Sequence, residues 1–134
     1  MGFIRANKKT CTGCRYCEAI CSFNKEARCN PASSRIVINK DEENGLEKPV
    51  VCLQCRNPEC VQACVFGALE KDAETGVVHY DLDKCYLCLA CVDACRFKAI
   101  RLHRENGAII KCELCAGDPA CVKYCPTKSL TLVR

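Results

Sequence analysis

The chain has 134 residues and a formal net charge of +4, with 17 cysteines, four phenylalanines, four tyrosines and no tryptophan. A chain of this length holds one domain or two very small ones, and its conventional apolar side chains are too few to stabilise it unaided, so covalent or coordinate bonds must supplement the core. These figures exclude a large enzyme with a deep substrate pocket of its own, a collagen, a coiled coil and a low-complexity tail.

The N-terminus reads MGFIRANKKTC, without an apolar leader or a twin-arginine pair, and nowhere do 18 apolar residues run together. A soluble cytoplasmic protein with no membrane insertion is therefore expected. In that compartment disulfides are disfavoured and clustered cysteines point to metal; an odd cysteine count agrees.

In chain order, Phe3–Arg5 is strand-like. Group one follows: Cys11, Cys14, Cys17 and Cys21, spaced C-x2-C-x2-C-x3-C, with the last cysteine on a predicted short helix, Glu18–Phe23. Cys29 belongs to no group and reads as a packed free thiol. Arg35–Asn39 is a predicted strand, Lys40–Lys48 a charged loop containing Asn44-Gly45, and Pro49–Val51 the next strand. Group two is Cys52, Cys55, Cys60 and Cys64, with a helix over Glu59–Cys64 after Pro58. Ala68–Lys71 and Val77–Tyr80 are short strands around a turn at Glu74-Thr75-Gly76. Group three, Cys85, Cys88, Cys91 and Cys95, repeats the spacing of group one and ends on a helix over Val92–Cys95. Ala99–Leu102 is a strand, and Leu102–Lys111 reads as a hairpin turning at Glu105-Asn106-Gly107. Group four is Cys112, Cys115, Cys121 and Cys125, with a helix over Ala120–Cys125 after Pro119, and Ser129–Val133 closes the chain as a strand.

C-x2-C-x2-C-x3-C-P is the bacterial ferredoxin run, in which three closely spaced thiolates wrap one [4Fe–4S] cluster and the fourth reaches the neighbouring one. Groups of this kind work in pairs, so four groups imply four clusters. A zinc reading leaves the third and fourth cysteines without a role. The strand–turn–strand link between groups two and three makes them one module. Groups one and four then pair across the chain, with the first and last strands side by side; Pro49–Val51 and Ala99–Leu102 are expected to pair likewise in the inner module. The alternative is sequential pairing, one with two and three with four. The nested arrangement predicts an α+β fold of tandem bacterial-ferredoxin-like modules, one nested within the other: an outer module of residues 1–48 plus 103–134 and an inner module of 49–102. Its ligand sets are Cys11, Cys14, Cys17 and Cys125; Cys112, Cys115, Cys121 and Cys21; Cys52, Cys55, Cys60 and Cys95; and Cys85, Cys88, Cys91 and Cys64.

Each cluster with its thiolates is an anion, so four of them turn the formal positive balance negative, and the basic count does not argue for nucleic-acid binding. His79 and His103 read as surface or strand-edge side chains. Arg96 is either solvated or placed beside Cys95 to raise a cluster potential. No nucleophile–base pair or phosphate loop is present, so the chemistry is electron transfer rather than catalysis.

With these groups in order, the chain resembles the four-cluster electron-transfer subunits that partner molybdenum or tungsten enzymes and some hydrogenases; CLQCRNPECVQAC and KCELCAGDPACVKYCPTKSL carry the likeness. The segment CTGCRYCEAICSFNKEARCNPASSRIVI further resembles the small iron–sulfur subunits of tungsten aldehyde oxidoreductase-type and class II benzoyl-CoA reductase enzymes. The resemblance implies a larger catalytic partner, tungsten aldehyde oxidoreductase-like in the first instance, and an external electron carrier or further redox subunit. A free-standing polyferredoxin is the alternative, as is a relay subunit of a formate dehydrogenase, hydrogenase or carbon monoxide dehydrogenase. Only Cys125 is followed by proline; Ser22, Val65 and Arg96 follow the other three fourth cysteines.

Overall fold

In the computed structural model, residues 2–103, 105 and 107–133 are described. They form strands β1 (Phe3–Ala6), β2 (Val37–Asp41), β3 (Leu46–Val50), β4 (Leu69–Lys71), β5 (Val78–Tyr80), β6 (Arg101–Leu102), β7 (Ile109–Ile110) and β8 (Leu130–Val133). The α-helices are α1 (Tyr16–Glu26), α2 (Glu59–Ala63), α3 (Ala90–Ala94) and α4 (Ala120–Tyr124). The fold is thus α+β and ferredoxin-like, built of short elements.

The strands pair as four antiparallel ribbons: β1–β8, β2–β3, β4–β5 and β6–β7. β1 and β8 join the two ends of the chain in the register Phe3↔Val133 to Ala6↔Leu130. The β4–β5 turn is fixed by Asp72, whose Oδ1 accepts from the Glu74 amide at 2.8 Å, and by Gly76 at φ 75°. Two predicted features are corrected. Pro49–Val51 and Ala99–Leu102 do not pair with each other: the first segment joins β2 in a hairpin, and the second starts the β6–β7 hairpin. Closing a short local loop costs less chain entropy than bringing distant segments together. The Lys40–Lys48 segment is accordingly mostly strand, with Asn44-Gly45 at the β2–β3 turn. Asn106, at the centre of the predicted 105–107 turn, lies outside the described residues.

Two-stranded ribbons are marginal alone, and five-residue helices hardly form unaided. They are held by packing: α1 lies on α4 and α2 on α3. The larger core joins Ile4, Ile36, Ile38, Val51, Val77, Leu114 and Leu130 to Cys17, Cys21, Cys52, Cys112, Cys121 and Cys125. A smaller one joins Leu69, Val78, Ile100 and Ile109 to Cys91. Cysteine therefore supplies much of the interior, and the apolar side chains form the walls between cysteine groups. Among the described residues no helix is long and apolar enough to cross a membrane.

Candidate metal centres

Four cavities carry the cysteines. Cys11, Cys14, Cys17 and Cys125 line the first. Cys21, Cys112, Cys115 and Cys121 line the second. Cys52, Cys55, Cys60 and Cys95 line the third, which is the widest of the four and more open to solvent. Cys64, Cys85, Cys88 and Cys91 line the fourth. Each cavity is thus lined by four thiols.

The loops that present the thiols repeat a backbone device. The second residue after the first cysteine of every group is left-handed: Gly13 at φ 72°, Gln54 at 48°, Leu87 at 58° and Leu114 at 62°. That reversal turns the amide back onto sulfur. Gln54 N donates to Cys52 Sγ at 3.5 Å, Leu87 N to Cys85 Sγ at 3.4 Å and Leu114 N to Cys112 Sγ at 3.4 Å. A second device follows three of the fourth cysteines, where Gly67, Lys98 and Lys128 are left-handed. Beyond the first two of these, Ala68 N donates to Cys64 Sγ at 3.3 Å and Ala99 N to Cys95 Sγ at 3.4 Å. Cys64, Cys95 and Cys125 lie just past the ends of α2, α3 and α4, in extended backbone, rather than within the predicted helices.

Group one departs from this pattern. α1 runs on past Cys21 to Glu26. Ser22 permits that continuation: it bonds back to Glu18 O at 3.0 Å and accepts from Asn30 N at 2.9 Å. The chain then returns through the turn at Pro31–Ser33, which Asn30 caps, and Arg35 N donates to Cys21 Sγ at 3.2 Å. The Cys29–Ile36 segment thus supplies the sulfur contact that the next loop supplies elsewhere.

Burial governs the thiols. It pushes Cys17 up to about 12, with the Glu18 carboxylate adding to the rise. It pushes Cys60 and Cys112 up to about 11 and raises Cys121, Cys55 and Cys91 as well. At Cys64 and Cys125 burial also raises the thiol, but surrounding donors outweigh it: the amides of Ala68 and Phe66 at Cys64, and the Thr127 hydroxyl with the Ser129 amide at Cys125. A buried thiolate needs positive charge, and a metal that displaces the proton supplies it. The donor set, the sulfur-directed amides and the apolar walls therefore fit iron–sulfur clusters.

The cavities adjoin one another. Cys121 feels the charge of Cys17 from the first cavity as well as those of its own group, and Cys112 feels that of Cys52 from the third. Cys60 and Cys95 of the third share the smaller core with Cys64, Cys85 and Cys91 of the fourth.

Two expected side chains lie elsewhere. Cys29 is exposed rather than packed. His103 is buried, not at the surface: its Nδ1 accepts from the Glu105 amide at 3.2 Å and its Nε2 faces Glu26 Oε1 at 3.1 Å. Arg96 borders the third cavity together with Cys95, as expected, and its exposed guanidinium is paired with Glu59. The sequence reading missed three buried polar side chains against the cysteine loops: Glu18, Gln54 and Lys111. One signal was available. Lys111 interrupts the apolar run Ala108-Ile109-Ile110 just before Cys112.

Comparison with known proteins agrees with this chemistry. Residues 45–134 match the family described as "4Fe-4S dicluster domain". The polyferredoxin-like subunit of aliphatic sulfonate oxidoreductase from Pyrococcus furiosus is 41% identical over 86% of this chain and 66% of that protein. The beta subunit of NADH-dependent phenylglyoxylate dehydrogenase from Aromatoleum evansii is 39% identical over 90% of this chain and 27% of that protein. The chain thus spans under two thirds of either relative. A chain of the BamBC active-site complex of benzoyl-coenzyme A reductase superposes with a TM-score of 0.60 at 25% identity, covering 99% of this chain and 79% of that one. The protein is a member of the 4Fe-4S dicluster domain family, and an iron–sulfur protein.

Proposed function

We propose that this chain holds four [4Fe–4S] clusters, one in each cavity, and relays single electrons between a larger catalytic oxidoreductase subunit and an external carrier, without catalysis of its own. One observation carries the reading: each cavity is lined by one of the four cysteine sets that ferredoxin spacing pairs, three cysteines of one group with the fourth of another. When bound, such clusters each take up one electron at a potential tuned by hydrogen bonds to sulfur, nearby charge and exposure to water. The chain's part is to supply thiolates, to aim the amides of Arg35, Gln54, Ala68, Leu87, Ala99 and Leu114 at them, and to exclude water with Ile4, Ile36, Ile38 and Leu130.

We assign the outer module to residues 1–48 plus 103–134 and the inner to 49–102. The β1–β8 ribbon and the packing of α1 on α4 support the first, and the β4–β5 link with α2 on α3 supports the second. A tungsten aldehyde oxidoreductase-like partner is favoured by the group-one segment and by the likeness to the benzoyl-coenzyme A reductase complex. A thiol-rich interior of this kind belongs in the reducing cytoplasm. Anaerobic purification from the native host, with elemental analysis, tests the reading. Co-purification with a tungsten-containing large subunit is expected. Molybdenum or nickel reassigns the partner to a formate dehydrogenase, hydrogenase or carbon monoxide dehydrogenase, and a lone brown monomer makes the chain a free polyferredoxin.

A further inference from the structure

Between the second and third cavities lies a buried polar knot. Lys111 is 5% exposed, and all three of its ammonium donors are used: Nζ donates to Val78 O at 2.8 Å, Cys112 O at 2.9 Å and Gln54 Oε1 at 3.2 Å. Gln54, 7% exposed, closes the knot, since its Nε2 donates to Cys112 O at 2.8 Å and its Oε1 also accepts from Val78 N at 2.9 Å. The backbone N–H of the same Gln54 donates to Cys52 Sγ. One side chain therefore touches the loop of the second cavity while its backbone touches a thiol of the third.

Three acceptors match three ammonium donors, but all three are neutral. A buried charge whose hydrogen bonds are made and whose charge is unmatched carries a heavy desolvation cost. Anions on both sides would supply the missing counter-charge. The ammonium reaches both sides: it bonds Cys112 O in the loop of the second cavity, and it bonds Gln54, whose backbone N–H donates to Cys52 Sγ of the third.

We propose that Lys111 is a positioning residue for the electron crossing between the second and third cavities: its buried ammonium holds the clusters on either side at a higher potential than the thiolate cage alone would set. The inference rests on the reading that both cavities hold clusters. An electron crossing here leaves one side, oxidised by one charge, and arrives at the other, reduced by one; no bond or proton moves. A fixed cation between the two positions stabilises the reduced form of each and keeps their potentials near one another.

The test is an EPR-monitored redox titration of the anaerobic holoprotein, with iron and sulfide measured on the same samples. Lys111→Gln, neutral but still able to donate, should move two of the four reduction potentials to more negative values and leave two unmoved. Lys111→Arg should keep the wild-type values. Gln54→Glu, which retains the lysine and sets a carboxylate against it, should shift the same two downward. Unmoved potentials in Lys111→Gln, or equal shifts in Lys111→Gln and Lys111→Arg, overturn the proposal. Loss of clusters from both Lys111→Gln and Gln54→Glu while Lys111→Arg assembles makes the lysine a folding element and also overturns it. Fewer than four clusters in the wild type would instead sink the cluster assignment itself.

Discussion

Cys121 and Cys29 stand at opposite ends of what a cysteine does in this protein. Cys121 is buried in the second cavity beside Cys21, Cys112 and Cys115, whereas Cys29 is exposed and lines none of the four cavities. Cys121→Ser should lose about four iron atoms per chain, one cluster's worth, and Cys29→Ser none; iron analysis of the two purified variants decides. Glu18 is the other telling residue. Its carboxylate, 3% exposed, accepts from Ile38 N at 2.9 Å and pairs with Arg15 at 3.2 Å, tying α1 to β2 next to Cys17. Glu18→Gln weakens a charge-assisted hydrogen bond and leaves Arg15 unpaired, so it should destabilise the holoprotein by about 1–2 kcal/mol, measured by chemical denaturation under anaerobic conditions.

The recurring element is the cysteine loop with a left-handed residue two places after its first thiol. Gly13 fills that position in group one, where a Cβ would fall 2.6 Å from Glu47 Cδ and φ is 72°. Gly13→Ala should therefore cost about 1–2 kcal/mol. Leu87, in the equivalent place, is exposed and left-handed at φ 58°. Leu87→Gly relieves that strain while adding unfolded-chain freedom, and should change stability by less than about 0.5 kcal/mol; thermal melts of the two variants separate the predictions by size. The sequence makes these loops legible because ligand spacing is local. It also places the β4–β5 hairpin and the two terminal strands, where turn residues and β-branched runs coincide. Strand partners were harder to read. Pro49–Val51 could bond to a distant edge or to Arg35–Asn39, and only the closure of the Asn44-Gly45 turn decides between them. Helix ends shifted by a residue or two for a similar reason: Cys64, Cys95 and Cys125 turn out of the helix to point at a cavity, and that demand lies outside the helix's own propensities.

At the scale of the molecule, cysteine and polar knots stand where a larger protein would have a leucine-rich core. Lys111 meets Gln54 across 57 positions and His103 meets Glu26 across 77, so no window of the sequence could have revealed either contact. The same separation makes the fold depend on what the cavities bind. Iron chelation or oxygen exposure should abolish the cooperative thermal transition followed by circular dichroism, because metal binding supplies folding free energy that the thin apolar walls lack; a native-like melt of iron-free protein would contradict this. The most direct measurement is the iron and acid-labile sulfide content of anaerobically prepared protein. The account predicts about sixteen of each per chain, four clusters of four. A value near eight, or zinc or oxidised sulfur bridges in place of iron, would contradict it.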